Sequence, residues 1–230
     1  MGSIQVKELE ERKRVYFCGP QSVTSGILHF GGMLLSVVGL ILLLALTAQG
    51  GHDPWKLVSF GVYGTSMVLL YGASGTYHTF YISEKVHRAL RKIDHSMVFV
   101  LIAGSYMPLC MVAMRGPVGW TLFGLVSFFT VAGIIMKMFW IDAPKWVSAL
   151  WYVLLGWMIV GAFFALKSSL SPQALAWLFA GGLFYTVGAV IYAVKKEWIC
   201  TKYFGNHELF HIFILLGSAC HYILMLGYIR

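Results

Sequence analysis

Seven apolar runs divide the chain, at 23–48, 55–81, 94–114, 118–139, 146–166, 172–194 and 207–229. Each is long enough to cross a hydrocarbon core of roughly 30 Å as an α-helix rising about 1.5 Å per residue. The separators are short and carry turn formers and helix breakers: Gly50-Gly51 with Pro54, Gly116-Pro117, Asp142 with Pro144, and Ser171-Pro172. None is long enough to split the chain into independent units, and no internal repeat or low-complexity stretch is visible. The pattern predicts an all-α integral membrane protein, one domain over residues 1–230, with seven transmembrane helices preceded by a charged segment at 1–22.

Composition turns that pattern into an exclusion. Of 230 residues, 59% are hydrophobic and 11% charged, with a mean hydropathy of +0.76. A soluble domain carries roughly 25% charged residues, so the polar cover of a water-soluble enzyme or a nucleic-acid-binding module is missing. The excess of 17 Lys and Arg over 9 Asp and Glu is therefore read as topology rather than as affinity for nucleic acid. Lys7, Arg12, Lys13, Arg14, Lys85, Arg88, Arg91, Lys92, Lys137, Lys145, Lys195, Lys196 and Lys202 fall on one side of the predicted membrane. Only Lys56, Arg115, Lys167 and Arg230 fall on the other. This bias predicts a cytoplasmic N-terminus and a C-terminus outside, which an odd number of spans requires. Trp55, Trp120, Trp140, Trp146 and Trp198 stand near predicted helix ends, where interfacial anchors belong. Cys18, Cys110, Cys200 and Cys220 show no C-x-x-C spacing and read as small apolar residues rather than disulfides or metal ligands. The segment KELEERKR at 7–14 carries both signs of charge, so no cleavable signal peptide is expected.

Polar and ionisable side chains are expensive inside a membrane, and each is a candidate functional residue. They are His29 in the first run, Ser74 and His78 in the second, Asp94 and His95 at the opening of the third, and His207, Glu208, His211 and His221 in the seventh. Ser74 and His78 are four apart and share a helical face. His207 and His211 have the same spacing, which lets two imidazoles reach one metal ion. By topology His78 ends its helix at the cytoplasmic side, while Asp94, His207 and His211 lie in the first turns of theirs. Three imidazoles then meet at one depth and leave a fourth position for water, the arrangement of a catalytic zinc, with Asp94 close enough to hydrogen-bond that water. A lone intramembrane histidine is ordinarily an interhelical hydrogen-bonding residue, so His29, His95 and His221 are assigned structural roles. His207-Glu208-Leu209-Phe210-His211 spells the H-E-x-x-H of zinc proteases. Nothing downstream resembles the usual third ligand, however, and Glu208 lies about 100° around the helix from His207. Its side chain is expected to face the cytosol or the headgroups.

Ser74-x-x-Tyr77-His78, Arg91-Lys92-Ile93-Asp94-His95 and His207-x-x-x-His211, in that order, resemble the bacterial hemolysin III family, within the wider superfamily of progestin and adipoQ receptors and alkaline ceramidases. Residues 24–32 around His29, Ala103-Gly104-Ser105-Tyr106-Met107-Pro108 and Gly217-Ser218-Ala219-Cys220-His221 extend the resemblance over nearly the whole chain. It implies seven transmembrane helices with a cytoplasmic N-terminus, a multi-pass protein of the bacterial inner membrane, and Zn2+ held by His78, His207 and His211. Asp94 would hold the water and Ser74 complete the polar set. Three functions stay open. The first is a hydrolase that cuts a lipid amide or ester with zinc-activated water near the cytoplasmic face, with Asp94 and Ser74 catalytic and a membrane lipid as substrate or ligand. The second is a non-catalytic regulator or an ion- or proton-coupled transporter. The third is a pore-forming cytolysin, which a pre-inserted seven-helix domain disfavours. No nucleic-acid partner is expected.

Overall fold

The computed structural model describes residues 23–51, 53–194, 198–199, 201 and 203–230. Lys7, Arg12, Lys13, Arg14, Lys195, Lys196, Lys202, Cys18 and Cys200, to which topology and thiol roles were assigned above, lie outside them. Among the described residues seven helices are long and apolar enough to cross a membrane: α1 Val23–Gln49, α2 Pro54–Thr79, α3 Glu84–Ala113, α4 Pro117–Phe139, α5 Lys145–Ser169, α6 Pro172–Ala193 and α7 Asn206–Ile229. This is the architecture of a multi-pass integral membrane protein.

The helix starts follow from local chemistry. Asp53 accepts a hydrogen bond from the Trp55 N–H, with Pro54 in the first turn of α2. Ser171 does the same for the Ala174 N–H, with Pro172 opening α6. In both, a side chain satisfies a backbone donor that has no helical partner, and proline fills a position where its missing N–H costs nothing. Ahead of α4, Gly116 adopts a φ of +152°, a conformation that side chains other than glycine's rarely enter, and Pro117 follows it.

The third helix begins ten residues before the apolar run that announces it, at Glu84 rather than Asp94. Ser83 caps it, accepting from the Val86 N–H. The extension carries charge on one side: Arg88 and Arg91 each pair with Asp142, at 2.9 Å, and Lys92 donates to the Met138 carbonyl. A hydropathy count passes over such a segment because its apolar face is narrow. Asp94 therefore does not open its helix but stands about 15 Å along it. Lys137, assigned to a loop by sequence, sits in the last turn of α4, buried, and donates to Ser148 of α5.

Packing inverts the pattern of a soluble bundle. The α1 face bearing Leu34, Leu35, Val38 and Ile41 is exposed, while Ser25, His29, Ser36 and Thr47 of the same helix are buried. Lipid takes the apolar face, and polar groups must turn inward to find partners. The helices neighbour one another in chain order, and α1 also touches α7, closing the bundle. At Gly217 of α7 that closeness is steric, since a methyl group there would come within 2.7 Å of the Tyr185 ring on α6.

Three helices are irregular, α7 among them with a π-helical turn at Met225–Ile229, and one tyrosine repairs the break in α5. Helix α3 ends in a π-helical turn at Leu109–Ala113 after Pro108. Helix α5 tightens to a 3-10 turn at Met158–Ala162. There the Tyr106 hydroxyl of α3 accepts from the Ile159 N–H at 2.8 Å and is 2.7 Å from the Gly156 carbonyl oxygen, to which it donates. The break thus leaves that amide no orphan in a region without water. Tyr106→Phe removes both contacts, and we expect it to lower stability by about 1–3 kcal/mol, read as a fall in the thermal unfolding midpoint in detergent, while Phe at the exposed Leu125 of α4 leaves the midpoint unchanged.

Candidate metal centre

Two helices bring three imidazoles together. His78 lies in the last turn of α2, and His207 and His211 in the first two turns of α7. Their ligating nitrogens all lie within 4.8 Å of one another, with His78 and His211 buried. The His78 and His207 Nε2 atoms are 3.2 Å apart, and the three ring centroids are separated by 4.5 to 4.9 Å. In a tetrahedral zinc site with bonds of 2.0–2.1 Å, two ligand nitrogens sit about 3.3 Å apart. The His78–His207 separation matches one such edge. Neutral imidazoles also suit a borderline metal such as zinc. On donor type, spacing and burial the three residues fit the ion.

A carboxylate stands beside them. Asp94 of α3 is buried, and its Oδ2 is 3.3 Å from Nδ1 of His95. His95 is held in turn by the Tyr152 hydroxyl, which donates to its carbonyl at 2.9 Å, and by Tyr192, whose hydroxyl is 3.4 Å from Nε2. Asp94, Ser74, His207 and His211 all line one cavity of about 130 Å³. From there the cavity runs between α3, α5, α6 and α7 along Val98, Leu101, Val153 and Ile214 toward His221. It is polar at one end and apolar along its length. The polar end is also the basic end of the bundle, since Lys145 lies over the Tyr192 ring, which packs beside His207.

Glu208 departs from expectation. It is buried, 5% exposed, and faces neither solvent nor headgroups. Its Oε2 accepts from the Gly205 N–H and its Oε1 from the Ser25 hydroxyl, both at 2.8 Å. The first bond caps its own helix through the residue three positions back, and the second ties that cap to α1. Glu208 thus fixes the turn that carries His207 and His211.

The structure also brings His29 into the site. Its ring stacks on that of His211, centroids 3.8 Å apart and planes within 18°. A lone histidine in an apolar run gave no reason to expect this, but a signal was present. Ser25 and His29 are four apart on α1, as Ser74 and His78 are on α2 and His207 and His211 on α7. His221 keeps an interhelical place, with Nε2 3.3 Å from the Leu178 carbonyl oxygen of α6. Cys110 and Cys220 are buried free thiols.

Residues 20–222 match the family described as Haemolysin-III related. The chain is 34% identical to Hemolysin-3 of Bacillus cereus over 209 residues, 91% of this chain and 92% of that one. It is 35% identical to a Hemolysin-3 homolog of Bacillus subtilis over 208 residues, 90% and 94% of the two chains. A more distant relative is the adiponectin receptor protein of Drosophila melanogaster, 25% identical over 194 residues, 72% of this chain and 41% of that one.

The centre makes two measurable demands. Protein purified without chelator should carry about one zinc per chain by inductively coupled plasma mass spectrometry, and His207→Ala or His211→Ala should retain none. Glu208→Ala, which deletes a cap and not a ligand, should instead keep a measurable share of the metal while lowering stability by about 1–2 kcal/mol in thermal unfolding.

Proposed function

The chain belongs to the haemolysin-III related family of membrane proteins, and from that premise we propose that it is a zinc-dependent intramembrane hydrolase of a lipid amide or ester, working near the cytoplasmic face. The observation that carries this reading is the shared cavity: His207 and His211, two of the three clustered imidazoles, and a buried carboxylate at one end, and an apolar channel leading away from them. A lipid's linkage region can lie at the polar end while its chain fills the apolar length.

When bound, zinc would act as a Lewis acid, polarising a carbonyl and making water far more acidic than in bulk. His78, His207 and His211 would hold the ion through three imidazole nitrogens. Asp94 is the proton acceptor: one carboxylate oxygen takes a proton from the attacking water and returns it to the leaving amine or alcohol. Its contact with His95 holds the carboxylate in one orientation. Ser74 donates a hydrogen bond to the carbonyl oxygen as charge develops there. The apolar walls exclude bulk water from the chain, which strengthens each of these interactions.

The basic residues at this end of the bundle, Arg88, Arg91 and Lys145 among those described, support a cytoplasmic placement and delivery of the lipid from the inner leaflet. A transporter or regulator built on the same residues would show no turnover, and a pore would release solutes.

Purified protein in nanodiscs, incubated with ceramides and with phospholipids, tests the proposal. We expect turnover of at least one class that a chelator abolishes and zinc restores. Asp94→Asn should slow it about 10²- to 10⁴-fold and Ser74→Ala about 10²- to 10³-fold. Absence of zinc-dependent turnover on either class, or full turnover in Asp94→Ala, overturns it.

A further inference from the structure

His29 is the least explained polar side chain in the protein. It is 3% exposed, and neither ring nitrogen has a hydrogen-bond partner. A buried donor or acceptor left unpaired costs about 1–3 kcal/mol, so such a group calls for a reason. The ordinary reason for a membrane histidine, a hydrogen bond to a neighbouring helix, is absent. The nearest hydroxyl-bearing ring, Tyr71, meets His29 edge to face at 5.1 Å, but its hydroxyl donates to Ser218 at 2.5 Å.

Coordination of the same metal is excluded by geometry. An imidazole binds a metal ion in its own ring plane, about 2.0–2.1 Å from the nitrogen. The His29 and His211 rings are nearly parallel and stacked 3.8 Å apart. An ion lying in the plane of His211 therefore lies off the plane of His29. The ring face of His29 is spent on His211, and its nitrogen-bearing edges are left for something else.

That something has a place to sit. His29 lines the same cavity as Ser74, Asp94 and His211, at the polar end. It is also held firmly. Ser25, one turn before it on α1, is fastened to Glu208 of α7, which ties the backbone that carries His29 to α7, and the ring itself is held by its stack on His211.

We propose that His29 contacts the substrate: its ring N–H donates a hydrogen bond to an acyl oxygen of the lipid in the cavity, and its other nitrogen accepts one from the lipid's amide N–H or headgroup hydroxyl. The neutral imidazole has one donor and one acceptor. It therefore matches a ligand that presents a carbonyl beside an N–H or O–H, as a fatty amide does. This deepens the hydrolase reading and rests on it for the substrate class. His29 is then a catalytic residue in α1, the least buried of the seven helices, which gives that helix a part in the chemistry as well as in the fold.

The probe is oleamide, an acyl chain ending in a carbonyl and an N–H, added to the full zinc-loaded protein in nanodiscs. In protein labelled with ¹⁵N-histidine, the His29 ring resonances, assigned by their loss in His29→Gln, should shift as oleamide is added. His29→Phe preserves the stack on His211 and removes both nitrogens. It should weaken oleamide binding about 5- to 50-fold with zinc content unchanged, and His29→Gln, which keeps a donor and an acceptor, should recover part of the loss. Equal affinity in wild type and His29→Phe, or loss of zinc together with oleamide binding in that variant, overturns the proposal. The two readings fail separately. Oleamide binding that depends on His29 in a protein without turnover upholds this contact and removes the hydrolase, whereas zinc-dependent turnover unaffected by His29→Phe does the reverse.

Discussion

A polar group inside a membrane bundle has no water to turn to and must find its partner within the protein. That constraint organises this molecule. Ser25 answers Glu208, Tyr71 and Tyr185 share Ser218, Tyr222 reaches the Gly39 carbonyl, and Tyr106 tends the broken backbone of α5. All of these but the Tyr185–Ser218 pair join helices that are not consecutive in the chain, so satisfying the polar groups also sets which helices touch. The apolar surfaces carry less of this information, because lipid is as good a partner for leucine as another leucine is.

The closure of α1 on α7 shows the consequence. Helix α1 presents most of its surface to lipid, and a hydrophobic count treats it as an anchor. Yet its Ser25 holds the cap of α7, and that cap fixes the turn from which His207 and His211 project. The clustered imidazoles come from α2 and α7, the carboxylate from α3, and the tie that steadies the histidine-bearing turn from α1. On the proposed reading the chemistry is thus spread over helices that no single segment of sequence unites, and the bundle's closure is what makes the site.

Much of this was legible, for identifiable reasons. Seven apolar runs separated by Gly, Pro and Asp announce seven helices because length and breakers are local properties. The spacing of His207 and His211, with the charge-derived direction of each helix, brings His78 to their level because depth in a membrane is one-dimensional. What escaped is of two kinds. The extension of α3 before Asp94 is amphipathic and bound to Asp142, a residue 48 positions beyond Asp94, so hydropathy alone starts the helix late. His29 and Glu208 were misjudged singly because their partners, His211 and Ser25, lie more than 180 positions away. Pairing Ser25 with His29 by spacing, as was done for Ser74 with His78, would have marked α1 as a third polar face.

The five residues His207 to His211 read letter for letter as a zinc-protease motif, and the structure shows why the letters alone do not assign the roles. In that motif the two histidines bind metal and the glutamate between them is the general base. Here the histidines do cluster as ligands would, but both oxygens of Glu208 are engaged, one by a backbone N–H and one by Ser25. To act on water, Glu208 would have to release the cap and the tether that hold the ligand helix in place. Asp94 carries no such burden: it reaches the cavity from a different helix, with His95 as its partner. Bringing the third imidazole from α2 and the carboxylate from α3 makes this arrangement independent of the protease motif, although one helix of it happens to be spelled the same way.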